Sequence, residues 1–182
     1  GYNTHFTHNG KDAYAIDFNL PGEEDFGKQV LAVAGGIAYT KEQKNQKGLY
    51  EGYGKYIDID HGNGYISRYA HLKDFAVKDK TLVKQGQIIG YVNNTGTSTG
   101  SHLHFAIYNK QGSKYFAVKP EPMSGYTNFV AGNWYTSDNK VYVESPIQKV
   151  EEKAKEIVKE IIPTPGIMGN EPPLSLFEKA GL

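Results

Sequence analysis

The sequence predicts a mostly β domain with an antiparallel β-sheet or sandwich core, and two observations support this fold class. Gly and Tyr are abundant among the 182 residues, with 21 and 14 copies, whereas Leu-rich stretches with helical spacing are scarce. This composition favours many short strands that are joined by tight turns. In addition, two runs of alternating polarity, 55–60 and 65–69, flank the dipeptide Asn63-Gly64, which is a strong hairpin signal.

Shorter apolar runs predict four further strands, at 14–18, 29–39, 84–90 and 103–108. The second of these contains Gly35-Gly36, which indicates a bend or a bulge in its middle. Two polar stretches that are punctuated by Gly, 40–54 and 93–101, are predicted to be long loops beside the hairpins.

The composition changes after Ser145-Pro146, so the sequence predicts one domain over 1–144 and an appendage over 145–182. Apolar residues recur at helical spacing within 147–162, with Glu and Lys between them, which predicts an amphipathic helix. Pro163 begins a Pro-rich linker that ends the helix. The helix is expected to pack on the domain or to act as a spacer, and the short amphipathic end 174–182 is expected to dock on the domain or on a partner.

Charge and cysteine content limit the functional classes. Lys plus Arg equals Asp plus Glu at 20 each, with Arg68 the only arginine. The sequence has no basic stripe, so it gives no sign of a nucleic-acid partner. No apolar run approaches the ~18–20 residues that cross a bilayer. Because Cys is absent, any metal must be bound by imidazole and carboxylate groups. The first residues show no signal-peptide pattern, which a trimmed export product would also lack.

Two histidines lie at alternate positions in Ser101-His102-Leu103-His104-Phe105. On a strand, both imidazoles would project from one face, about 7 Å apart, while Leu103 and Phe105 would face the core. Two ring nitrogens on a rigid backbone suit a metal site or a proton-transfer site. The alternative is a pair of ordinary surface histidines on a half-exposed strand.

A carboxylate ligand is predicted at Asp17, because an isolated acid in an apolar strand is costly unless it is paired or bound to a metal. The alternative is an Asp on the solvated face of an edge strand. His8 precedes a turn and either folds back over Asp17 as a ligand or is a solvated turn residue, with His5 as its rival for the ligand role. Two histidines and one carboxylate leave one position of a tetrahedral zinc open, as in catalytic sites.

The two remaining histidines follow the predicted hairpin strands. His71 comes just after the second strand, and a role near the metal and a structural role as a capping or core histidine are both open for it. His61 lies at the hairpin turn and is expected to be a solvated turn residue.

Several blocks that occur in a fixed order resemble the lysostaphin/LytM-type zinc metallopeptidases. In chain order they are His8-x8-Asp17-Phe18, Val30-x-Ala32-x-x-Gly35-Gly36, Tyr53-Gly54, Tyr69-Ala70-His71-Leu72, Gly86-Gln87-Ile88-Ile89-Gly90, Thr95-Gly96 and Gly100-Ser101-His102-Leu103-His104-Phe105. The fourth and the last block are the most specific. One departure concerns the first ligand, because many members place it four residues before the Asp, where this chain has Ala13.

The resemblance implies the duplicated hybrid motif fold, with an antiparallel sheet and a groove over one face. It also implies a Zn²⁺ ion held by His8, Asp17 and His104, with His71 and His102 as the two histidines near the water that do not bind the metal. The implied function is an exported endopeptidase that cuts peptide stems or bridges of peptidoglycan in the cell wall or periplasm.

Two alternative functions remain. One is a non-catalytic module on the same fold that binds cell wall or a hydrolase. The other is a phosphotransfer or carrier domain, because residues 83–90 also resemble the turn of biotinyl and lipoyl carriers and of sugar-phosphotransfer domains.

Overall fold

A computed structural model describes residues 8, 10–120 and 122–161. The chain divides into one compact unit that ends at Tyr142 and a second that begins at Val143. The domain boundary that the sequence predicts, between 144 and 145, stays a prediction.

Strands dominate the described part of the first unit, which confirms the mostly β fold class. They are β1 Ile16–Phe18, β2 Gln29–Leu31, β3 Gly36–Lys44, β4 Tyr50–Asp60, β5 Tyr65–Ala70, β6 Leu72–Phe75, β7 Thr81–Val83, β8 Ile88–Val92, β9 Leu103–Gln111 and β10 Lys114–Val118. A 3₁₀ turn, Gly10–Asp12, precedes β1.

The strands form two antiparallel sheets. The larger sheet has the order β1-β9-β5-β4-β3-β7, and β10 pairs with the second half of β9. The smaller sheet has the order β2-β8-β6. The predicted hairpin is confirmed as β4 and β5, which pair on either side of Asn63-Gly64.

One apolar core contains residues of both sheets. Ile57, Ile59 and Phe105 of the larger sheet are almost fully buried in one cluster with Val30 and Ile89 of the smaller sheet. Each buried aliphatic side chain of this size contributes about 1.5–3 kcal/mol through the hydrophobic effect. Because strand side chains alternate, the other face of the larger sheet carries His104, and a smaller buried cluster that includes Ala106 and Tyr108 lies on the same face.

Two predictions about local structure are wrong. Residues 40–54 form most of a long hairpin, in which β3 runs to Lys44 and β4 begins at Tyr50. Its turn is closed by Asn45, whose main chain bonds to Leu49 and Gly48. The polar side chains of this extension show no apolar alternation, so the sequence pattern did not indicate strands.

The second wrong prediction is the start of the strand at 84–90. Residues 84–87 precede β8 as a turn, because Gly86 has a φ of +76° that ends extended structure.

The helix predicted near 147–162 is confirmed as α1, Pro146–Ile161. Its start is fixed by reciprocal hydrogen bonds between Ser145 and Gln148, at 3.0 and 3.2 Å, which form a capping box. The predicted linker and the amphipathic end after it lie outside the described residues. Within the described part of the chain, no helix has the length and apolarity required to span a membrane.

Candidate metal centre

Asp17 and His104 are brought together by the pairing of β1 with β9. They are direct partners across the two strands, so their side chains project from the same face of the sheet. His104 Nδ1 lies 3.0 Å from Asp17 Oδ1. The prediction that Phe105 faces the core is confirmed, since it is 2% exposed.

His8 reaches the same carboxylate from outside the sheet. Its Nε2 lies 3.1 Å from Asp17 Oδ2, and its side chain is buried. One ligand atom from each of His8, Asp17 and His104 lies within 4.8 Å of the other two. His5, the rival candidate, lies outside the described residues.

The donor set of these three residues fits a zinc ion. Two imidazoles and one carboxylate are the ligands of catalytic zinc sites that keep a fourth position open. Among the described residues, the ion pairs of Asp17 go to imidazoles alone and to no Lys or Arg. Burial disfavours the charged form of Asp17, but hydrogen bonds from His104 and His8 outweigh this and hold the pKa of its carboxyl far below the usual range. The group therefore offers an ionised ligand.

His71 and His102 lie beside this cluster, with ring centroids 4.7 Å apart. The Nδ1–H of His71 donates to the carbonyl oxygen of Thr95 at 2.7 Å. The Nδ1–H of His102 donates to the carbonyl oxygen of Gly100 at 3.0 Å. A carbonyl oxygen only accepts hydrogen bonds, so in each neutral ring Nε2 carries the lone pair. His102 Nε2 lies 3.7 Å from Asp17 Oδ1.

The environment of His71 favours its neutral form. Burial, together with the nearby rings of His102 and His104, lowers the pKa of His71 to about 4, although the hydrogen bond to Thr95 acts in the opposite direction. His71 is therefore uncharged at neutral pH. Its backbone has a φ of +60°, a conformation that few non-glycine residues adopt.

The predicted loop 93–101 is confirmed, and it holds both of these rings in place. Besides its carbonyl bond to His71, Thr95 donates through Oγ1 to the Leu72 carbonyl at 2.8 Å and accepts from the Lys55 N–H at 3.0 Å. Gly96 has a φ of +87°, and a Cβ there would collide with the backbone of Gly52. The loop is thus fastened to the start of β4.

Three polar residues near the centre were not indicated by the sequence. Asp12 accepts hydrogen bonds from the hydroxyls of Tyr53 and Tyr108, and the ring of Tyr53 lies 5.7 Å from that of His104. The only sequence signal for Tyr53 was its place in Tyr53-Gly54, one of the blocks that resemble the family. Asp12 and Tyr108 are ordinary residues of a turn and a strand until the strands are paired.

His61 lies in the turn between β4 and β5, as predicted, but its ring is half-buried and hydrogen-bonded. Its two ring nitrogens bond to the Gly35 carbonyl at 2.8 Å and to Ser67 Oγ at 3.0 Å, so it connects β4 and β5 to the loop before β3.

A cavity of about 650 Å³ lies beside the centre and not within it, because Asp17 lines it but none of the four site histidines does.

The family of the chain follows from its match to a family model. Residues 11–116, more than half of the chain, match peptidase family M23. The chain belongs to peptidase family M23. The matched range contains Asp17, His71, His102 and His104 of this M23 chain, whereas His8 lies just before it.

Known relatives of this M23 chain cover parts of its length. It is 48% identical over 54 residues to the peptidoglycan DD-endopeptidase ShyA of Vibrio cholerae, which is 30% of this chain and 13% of the relative. It is 31% identical over 135 residues to the glycyl-glycine endopeptidase ALE-1 of Staphylococcus capitis, which is 74% of this chain and 35% of the relative. The chain spans about a fifth of the length of other relatives that it matches.

A solved structure supports the fold of this M23 chain. It is a mutant catalytic domain of the prophage-encoded M23 protein EnpA from Enterococcus faecalis, with a TM-score of 0.51 and 23% identity. The likeness covers 65% of this chain and 84% of that domain. The lysostaphin/LytM-type fold that the sequence predicts is therefore confirmed.

Proposed function

We propose that this chain is a zinc endopeptidase that hydrolyses peptide cross-links of bacterial peptidoglycan. The observation that carries the proposal is the convergence of His8, Asp17 and His104, whose ligand atoms lie within 4.8 Å of one another, beside two further histidines with Nε2 atoms that carry lone pairs. Such a set combines a metal site with proton acceptors.

The metal and the histidines would divide the chemistry. Zinc bound by His8, Asp17 and His104 would supply a Lewis acid that polarises a peptide carbonyl and lowers the pKa of water. His71 is neutral at pH 7, and its Nε2 would take the proton of the attacking water and deliver one to the leaving nitrogen. His102, on the Asp17 side, would be the second candidate for this proton transfer, because its Nε2 also carries a lone pair.

The substrate and the location are part of this proposal. Relatives of this chain are named as a peptidoglycan DD-endopeptidase and a glycyl-glycine endopeptidase, so the peptide stems and bridges of peptidoglycan are the substrate class that we propose. A protein with this substrate would act outside the cytoplasm, in the cell wall or periplasm.

Digestion of defined peptidoglycan fragments tests the function. The purified chain is incubated with cross-linked and with linear fragments, and mass spectrometry identifies the new termini. We expect cleavage of a cross-link peptide bond that stops when a chelator removes the metal and returns when zinc is added back. A chain that binds zinc and cell wall without cutting either fragment would be the non-catalytic module, and phosphorylation of a histidine would indicate the phosphotransfer alternative.

A further inference from the structure

Asp12 lies midway along the segment that connects His8 to Asp17. It ends the 3₁₀ turn Gly10–Asp12, and its carbonyl accepts a hydrogen bond from the Ala15 N–H at 2.9 Å. This main-chain bond ties Asp12 to the residue just before β1. Among the described residues, no strand precedes β1, so contacts with other parts of the fold must hold this segment on the sheet.

The carboxylate of Asp12 is held by two tyrosine hydroxyls. Tyr53 Oη lies 2.8 and 2.7 Å from its two oxygens, and Tyr108 Oη donates to Oδ1 at 2.6 Å. Hydrogen bonds from hydroxyls to an ionised carboxylate are shorter and stronger than those between neutral groups. Tyr53 is on β4 and Tyr108 is on β9, so the turn is bonded to two strands of the large sheet.

Arg68 supports both tyrosine rings. Its guanidinium carbon lies 4.4 Å from the ring centroid of Tyr53 and 5.1 Å from that of Tyr108. The same group bonds to both oxygens of Asp58, at 2.7 and 2.8 Å. Stacking on aromatic faces together with a bidentate contact to a carboxylate requires a planar guanidinium, which lysine lacks. This requirement accounts for the only arginine of the chain.

Tyr53 also contacts the candidate centre. Its carbonyl accepts a hydrogen bond from the His71 N–H at 3.0 Å, and its ring lies 5.7 Å from that of His104. One residue thus contacts the connecting segment through its hydroxyl, a candidate proton acceptor through its backbone and a candidate ligand through its ring.

We propose that Asp12, Tyr53 and Tyr108, a cluster that we call the Asp12 clamp, position the segment that carries His8 over the metal site. The proposal rests on the proposed role of His8 as a metal ligand. All three members are positioning residues, because the carboxylate of Asp12 and the hydroxyls of Tyr53 and Tyr108 bond to one another. The clamp would explain how a ligand nine residues before Asp17, outside the strands of the described part of the chain, is kept buried beside the carboxylate.

The test measures the protection of His8 directly. Diethyl pyrocarbonate modifies exposed imidazoles, and peptide mapping by mass spectrometry gives a separate rate for each histidine of the intact, metal-free chain. His8 is 3% exposed and His104 is 6% exposed, so both should react slowly in the wild type. In Asp12→Ala, we expect His8 to react about 10-fold faster or more, because its segment opens locally, while the rate of His104 is unchanged.

Zinc affinity gives the second readout, by competition with a chelator of known affinity. Asp12→Ala should weaken zinc binding about 10- to 100-fold, as is usual when a residue that orients a ligand is removed. Tyr115→Phe is the matched control, because its ring packs against that of Tyr108 but it takes no part in the clamp. The control should keep both the protection of His8 and the zinc affinity of the wild type.

The outcomes separate the clamp from the function. Unchanged protection of His8 in Asp12→Ala would overturn the clamp, whatever the zinc affinity. If that variant fails to fold, the double variant Tyr53→Phe/Tyr108→Phe removes both hydroxyls that bind Asp12, and unchanged His8 protection in it has the same meaning. A wild type that keeps His8 protected but binds no zinc would instead overturn the proposed function and leave the clamp standing.

Discussion

The two sides of the candidate metal centre are held by different means. Asp17 and His104 are cross-strand partners on β1 and β9, so the ladder of backbone hydrogen bonds fixes their separation without help from other side chains. His8 lies before a 3₁₀ turn and depends on side-chain contacts such as those of Asp12. A strand-borne ligand therefore needs only the correct register, whereas a ligand on a connecting segment needs additional residues that position it.

The largest effects should come from removal of the strand-borne ligands. We expect Asp17→Ala and His104→Ala to abolish zinc binding, because two remaining ligands do not hold zinc firmly in water. Metal analysis after gel filtration measures the zinc content. His61→Ala is the matched control, since His61 bonds to Gly35 and Ser67 and not to the centre. Full zinc content in His104→Ala would show that the strand pair is not the main part of the site.

Removal of the proposed proton-transfer groups should reduce turnover and leave the metal in place. We expect His102→Ala and His71→Asn to keep zinc and to lose about 10²- to 10⁴-fold in kcat, the usual contribution of general acid–base groups. Asn is chosen at position 71 because it tolerates the positive φ found there. A His102→Ala protein without zinc would mean that His102 belongs with the ligands.

A smaller effect is expected on stability as a function of pH in the metal-free chain. Burial gives His71 a folded-state pKa of about 4 in place of 6.5, so between these values the unfolded state binds more protons than the folded state. The free energy of unfolding should therefore fall as pH drops from 6.5 towards 4, by roughly 3 kcal/mol in total from this group. Urea unfolding at several pH values should show a flatter dependence in His71→Asn. Equal slopes in the two proteins would contradict the burial argument.

The strand-borne side of the centre could be predicted from residue alternation, His8 was predicted with His5 as its rival, and the contacts of Asp12 could not be predicted. Alternation in Leu103-His104-Phe105 correctly placed one side chain in the core and its neighbour on the open face, since period-2 patterns follow directly from strand geometry. The sequence pattern did not indicate the hairpin extension around Asn45, because polar residues lie on both of its faces. The partners of Asp12 are 41 and 96 residues away along the chain, and such side-chain pairs leave no periodic signal.

The resemblance to known peptidases was most informative where the fold is most regular. The blocks that contain His71, His102 and His104 lie within the range that matches family M23. His8 lies before that range, at a spacing from Asp17 that departs from the pattern of many members. The connecting segment therefore departs from many members in its spacing, and it is also where we propose the Asp12 clamp.

Anomalous diffraction at the zinc absorption edge, from crystals of the zinc-loaded chain, tests the central claim most directly. The account predicts one strong peak within about 2.0–2.2 Å of a nitrogen of His8, an oxygen of Asp17 and a nitrogen of His104, with His71 and His102 beyond bonding distance. A peak bound by His71 or His102, or by His5 in place of His8, would contradict it.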